Sequence, residues 1–116
     1  RGSGIVRKVI CTLLDNQEQT LNALAEAIQR SDYDALARLA HATKSGYGNV
    51  GASRLAALLS ELEDAARARH IDTDYYQRLD VIRIEAQAVQ DELKSYLYAT
   101  DPDTPAGDAT EPAQQR

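Results

Sequence analysis

Tryptophan, phenylalanine and methionine are absent from this chain, and cysteine occurs once. Any core must therefore come from Leu, Ala, Ile, Val and Tyr. A single Cys excludes an internal disulfide and any multi-thiolate metal site, and it fits a reducing compartment. That residue, Cys11, lies in the apolar run Val9 to Leu14, where a small buried side chain is expected. Helix breakers are also scarce. Between Val6 and Leu97 there is no proline, and the glycines there are Gly46, Gly48 and Gly51, so helix is the default state. No stretch approaches the roughly 18 apolar residues of a spanning helix, and no charged-then-apolar leader opens the sequence. Basic charge is in deficit: 13 Lys and Arg face 18 Asp and Glu, a net charge of −5. That balance argues against nucleic acid as a partner, because phosphate contacts need a basic surface.

What is present is globular in character. Hydrophobic residues make up 43 % and charged residues 27 % of the 116 positions, which is one domain's worth of chain. Arg1-Gly2-Ser3-Gly4 has the look of a cloning remnant, leaving a folded body over residues 5–98. Residues 99–116 hold all three prolines, Pro102, Pro105 and Pro112, and no large apolar side chain. This segment reads as a disordered acidic tail, with Asp101, Asp103, Asp108 and Glu111 against Arg116.

Apolar residues at helical spacing sort the body into four segments. The first, about Ile5 to Arg30, stripes Val6, Ile10, Leu14, Leu21, Leu24, Ala25 and Ile28, with a possible break where Asp15 and Asn16 could cap a new start. The second follows Ser31, three residues before Asp34 in a capping-box-like spacing, and stripes Leu36, Leu39, Ala40, Thr43 and Tyr47. The third, about Gly51 to His70, aligns Leu55, Leu58, Leu59, Leu62 and Ala66. The fourth, after the capping candidates Asp72 and Thr73, aligns Tyr75, Leu79, Ile82, Ala86, Val89, Leu93 and Leu97. Single-striped helices of this length are unstable alone and must bury their stripes on one another. Short connections favour antiparallel neighbours, so the expected architecture is an all-α, up-down antiparallel four-helix bundle with a short additional N-terminal helix.

The second segment holds the informative residues. With Leu36 at the centre of the stripe, His41 falls near 140° by the ~100° rotation per residue and faces away from the core. On the same face lie Asp34, Ala37, Arg38, Lys44, Ser45 and Gly48. Exposed helix faces normally carry long charged side chains, yet the positions one turn either side of His41 are small. Glycines inside a helix end cost up to about 1 kcal/mol each relative to alanine, which suggests close approach by another molecule. Gly51 is as well explained by ending the helix. Arg38 and Lys44, three residues to either side of His41, would attract an anion such as a phosphoryl group.

The run Ala40-His41-Ala42-Thr43-Lys44, then Gly51 and Ala52-x-x-Leu55-Ala56-x-Leu58-x-x-x-Leu62-Glu63, resembles the histidine-containing phosphotransfer (HPt) domain of multistep two-component signalling. The family motif is His-x-x-Lys-Gly with a second glycine several residues on. Here Ser45 follows the lysine, with Gly46 one step later. The resemblance spans about Ile5 to Tyr98. It implies that His41 accepts a phosphoryl group from an aspartyl-phosphate receiver domain and passes it to a second receiver. Nε2 would be the nucleophilic atom, and Lys44 would stabilise the phosphoryl charge. Ala37, Arg38, Ser45, Gly46 and Gly48 would form the docking face for the receiver. It further implies a domain with no autokinase activity and no cofactor of its own, with Mg2+ held by the receiver. The setting implied is bacterial and cytoplasmic: a monomeric domain without membrane contact, C-terminal to a hybrid sensor kinase that could itself be anchored in the inner membrane.

The remaining residues suggest less. His70, in Arg67-Ala68-Arg69-His70, falls where cations favour a helix C-terminus and has no small-residue clearing around it. No His-x-x-x-His or Glu-x-x-His pair offers a metal site. Tyr75, Tyr76, Tyr96 and Tyr98 fit core and bundle-edge packing. The alternative reading is a non-catalytic helical interaction or dimerisation module. The dimerisation domain of an autokinase fits less well, because His41 is followed by Ala42 rather than an acid and no Gly-rich nucleotide motif is present.

Overall fold

A computed structural model describes the backbone of residues 2–100 and the side chains of residues 4–99. Of the segment 99–116 expected to be disordered, residues 99 and 100 are instead helical, and residues 101–116 lie outside the described residues. Among these, four helices and no strand occur: α1 (Gly2–Gln29), α2 (Tyr33–Gly48), α3 (Ser53–Arg67) and α4 (Tyr75–Thr100). Each helix packs on two others: α2 on α1 and α3, and α4 on α1 and α3. The enclosed core is aliphatic, with Leu24, Leu36, Leu55, Leu59, Leu62 and Ile82 fully buried.

The long first helix is continuous. A separate short N-terminal helix was the expectation, yet α1 passes through Asp15 and Asn16 without a break. The reason is register. Ile10, Leu14, Gln17, Leu21, Leu24 and Ile28 follow one another at alternating four- and three-residue steps, so one stripe serves the whole helix. Asp15 and Asn16 are exposed beside it and have nothing to cap. Cys11, expected in the core, is exposed. It lies one residue off the Ile10–Leu14 line, about 100° around the helix.

Three helices end in the same way. Ser31, Gly51 and Arg69 each adopt a positive φ, of 54°, 81° and 55°. The next residue's N–H then reaches back over the last turn: Asp32 to Ala27 O, Ala52 to Tyr47 O, and His70 to Ala65 O, at 2.9–3.1 Å. This is the Schellman closure, which satisfies orphan carbonyls and reverses the chain within a few residues. The starts also differ from expectation. Asp32, not Ser31, caps α2 through Ala35 N at 3.1 Å. Asp74, not Asp72 or Thr73, accepts from Gln77 N at the start of α4. Ser31 is unavailable as a cap because it is the left-handed residue that closes α1.

Cross-helix hydrogen bonds tie the elements together. Arg7 Nη1 donates to Leu97 O at 3.2 Å, joining the start of α1 to the end of α4. Deeper in, Tyr47 Oη donates to Gln17 Oε1 at 2.6 Å, and Gln17 Nε2 donates to Gln90 Oε1 at 3.2 Å. Burial raises the Tyr47 hydroxyl above its ordinary pKa, so it remains protonated and donates. Tyr75 is also core, its hydroxyl donating to His70 O at 2.7 Å. Tyr76, Tyr96 and Tyr98, by contrast, are exposed.

Candidate functional site

The site is built by α2 and α3. Asp34 pairs with Arg69, just past the end of α3, and Lys44 with Glu63 inside it, so α3 runs against the direction of α2. Both helices bury small side chains: Ala37 and Ala40 on α2, Ala65 and Ala66 on α3. Small residues let helix axes approach closely, and that brings the outward edge of α2 within reach of an acid on α3.

His41 is 56 % exposed, so the imidazole stands clear of the core as the spacing predicts. Its Nδ1 lies 3.1 Å from Glu63 Oε2 and 3.3 Å from Oε1. Glu63 itself is only 5 % exposed. Two cations hold this buried carboxylate. Lys44 Nζ donates to Oε1 at 2.9 Å, while Arg67 donates to Oε2 from Nε at 2.9 Å and Nη2 at 2.8 Å. Burial pushes the Glu63 carboxyl upward, but hydrogen bonds from Lys44 and Arg67 and the charges of Lys44 and His41 outweigh it. The net result is a pKa lowered from 4.5 to about 2.

An ionised carboxylate only accepts hydrogen bonds. The 3.1 Å contact therefore assigns the imidazole proton to Nδ1 in the neutral ring, which leaves the lone pair on Nε2. The result is an accessible nitrogen nucleophile whose tautomer is set by a buried acid, with two cations within one helical turn. It is the same logic as the acid that orients a histidine base in hydrolases.

The surrounding face divides. Arg38, Ala42, Ser45 and Gly48 are exposed beside His41. Ser45 keeps a low profile, its Oγ donating back to His41 O at 3.2 Å. A Cβ on Gly48 would meet nothing within 4 Å, so that surface is open. Two residues expected on it are not there. Ala37 is 3 % exposed, because α2 is buried against both α1 and α3 and its apolar arc is wider than one stripe. Gly46 faces α1, where an added Cβ would lie 3.0 Å from Leu13 Cδ2. The missing side chain there admits Leu13, and Gly46 itself is half-buried. Lys44, expected to face an incoming anion, is bound to Glu63 with its side chain 29 % exposed.

Sequence reasoning passed over Glu63 and Arg67 as site residues. The signal for Glu63 was its position directly after Leu62, followed by Ala65 and Ala66, but Glu61 and Asp64 are equally acidic neighbours. Arg67 follows Glu63 by one turn, a favourable ion-pair spacing. His70 is exposed beyond the end of α3, and its backbone takes part in the helix closure. Among the described residues no group of three or more His, Cys, Asp or Glu could hold a metal ion, and none of the helices is long and apolar enough to cross a membrane.

The bundle thus presents one oriented, reachable imidazole beside cations. Residues 8–96 match the family described as Hpt domain. The chain belongs to that family, whose members carry phosphoryl groups in two-component phosphorelays and engage receiver domains. No curated protein and no solved structure matches the chain.

Proposed function

We propose that His41 is the phosphoacceptor of a phosphorelay intermediate. It takes the group from an aspartyl-phosphate on one receiver domain and yields it to the aspartate of another. The observation that carries this reading is the pairing of a half-exposed imidazole with buried, ionised Glu63, which directs the Nε2 lone pair outward. In the forward step Nε2 attacks phosphorus, the P–O bond to the donor aspartate breaks, and the carboxylate leaves with the electron pair. Such transfer rests on positioning and charge neutralisation.

In this reading Lys44 shares its ammonium between Glu63 and the entering phosphoryl group, since an ammonium carries three donors. Arg38, Ser45 and Gly48 border the docking face. The Mg2+ that screens the acyl phosphate belongs to the receiver. The up-down order of the bundle is part of the proposal, supported by the descending α2–α3 pairings. So are its place as the C-terminal domain of a hybrid sensor kinase and a cytoplasmic setting, both drawn from the family resemblance.

The test uses a panel of receiver domains charged with acetyl phosphate and Mg2+. Label moving to the wild-type chain and absent from a folded His41→Gln variant is the expected result. No transfer from any receiver would instead favour a non-catalytic helical interaction module.

A further inference from the structure

We propose, resting on the reading of His41 as phosphoacceptor, that Glu63 keeps the proton on Nδ1 of the phosphorylated ring. The phosphohistidine is thereby held as a readily discharged imidazolium. Glu63 is then a positioning residue for both directions of transfer, with Lys44 and Arg67 fixing its carboxylate in place.

The argument begins with proton bookkeeping at His41. The form of the ring that attacks is the neutral tautomer, with its proton on Nδ1 and its lone pair on Nε2. When the N–P bond forms and the aspartate carboxylate departs, no proton has moved, so the product ring is a cation that still carries the Nδ1 proton. Its fate decides the next step. If it is kept, the ring leaves phosphorus as a neutral imidazole when the receiving aspartate attacks. If it is lost, the leaving group is an imidazolide anion, and transfer slows. Reversibility depends on the ring holding that proton.

The geometry supplies the means. Oε2 of Glu63 lies 3.1 Å from Nδ1, and a charge-assisted contact of this kind favours the cationic ring. The carboxylate is 5 % exposed, so bulk water competes poorly for the hydrogen bond it accepts. Glu63 does not take the proton itself, because Lys44 and Arg67 together occupy both its oxygens and favour its ionised form. The charged groups near the ring are Arg38 and Lys44 from α2 and Glu63 and Arg67 from α3. The three cations oppose a positive ring through space. The phosphoryl group on Nε2 brings about −1.5 to −2 of charge, which offsets them.

The experiment follows the Nδ1 and Nε2 resonances of 15N-labelled phosphohistidine 41 in the full chain through an alkaline pH titration. The chain is phosphorylated by phosphoramidate or by a receiver charged with acetyl phosphate. The expected Nδ1 deprotonation lies at least about one pH unit higher in the wild type than in Glu63→Gln, a tenfold difference in proton affinity. Discharge to a receiver should stay level over that interval in the wild type and fall in the variant. Free Nε2-phosphohistidine provides a second comparison needing no variant: the wild-type ring should keep its proton to higher pH than the free amino acid. Coincident titrations of the wild type, the variant and the free amino acid would overturn the inference. Failure of position 41 to accept phosphoryl at all would overturn the underlying reading.

Discussion

Glu63 gathers the charged contacts of the candidate site in one side chain. It is a buried acid that touches a histidine, a lysine and an arginine, and a buried charge is tolerated only when paired in this way. Its carboxyl titrates near 2 in the folded chain against an ordinary 4.5. Folding is therefore favoured by its ionisation above about pH 4.5, and that contribution is lost as pH falls toward 2. Glu63→Gln should be less stable than wild type at neutral pH, and its urea midpoint should decline less steeply between those two pH values. Parallel curves would show that the acid does not couple to folding. His41→Ala, by contrast, removes a half-exposed ring and should shift stability by no more than about 0.5 kcal/mol. A cooperative loss of structure in that variant would contradict the exposed site.

The helices themselves are joined by turns that each depend on one left-handed residue. Gly51 takes that conformation at no steric cost, whereas Ser31 takes it with a side chain. Gly51→Ala is expected to cost about 1 kcal/mol, and Ser31→Gly to be neutral or stabilising, by thermal denaturation. Between elements, the Tyr47–Gln17–Gln90 chain sets the register of α1 against α2 and α4, as a polar residue in a heptad stripe can do. Tyr47→Phe leaves Gln17 Oε1 without its donor and should cost about 1–3 kcal/mol, while adding Gln17→Leu should recover part of that loss. Strict additivity of the two changes would rule out the link. The apolar stripes of α2, α3 and α4 were legible in the sequence because their spacing alone marks them. Gln17 was not, since a polar residue at a core step looks like a gap. The capping positions also slipped, because Asp32 and Asp74 each lie among several residues able to cap.

At the scale of the molecule, four helices form a bundle 53 × 32 × 20 Å across. Leu59 and Leu62 are fully buried on the helix that carries Glu63, and truncating either to Ala should cost about 2–5 kcal/mol in urea unfolding. His41 and the openness at Gly48 could be read from the chain, because helical rotation places both off the stripe. The inward turn of Ala37 and Gly46 could not, because it depends on which neighbours cover α2, and the choice of Glu63 among three nearby acids depends on the approach of α3. The most direct measurement is phosphoryl transfer from a charged receiver domain to the wild-type chain and to His41→Gln, with folding of both confirmed by circular dichroism. Acid-labile, alkali-stable label on the wild type and none on the variant is the predicted outcome, whereas equal labelling of the two chains would contradict the account.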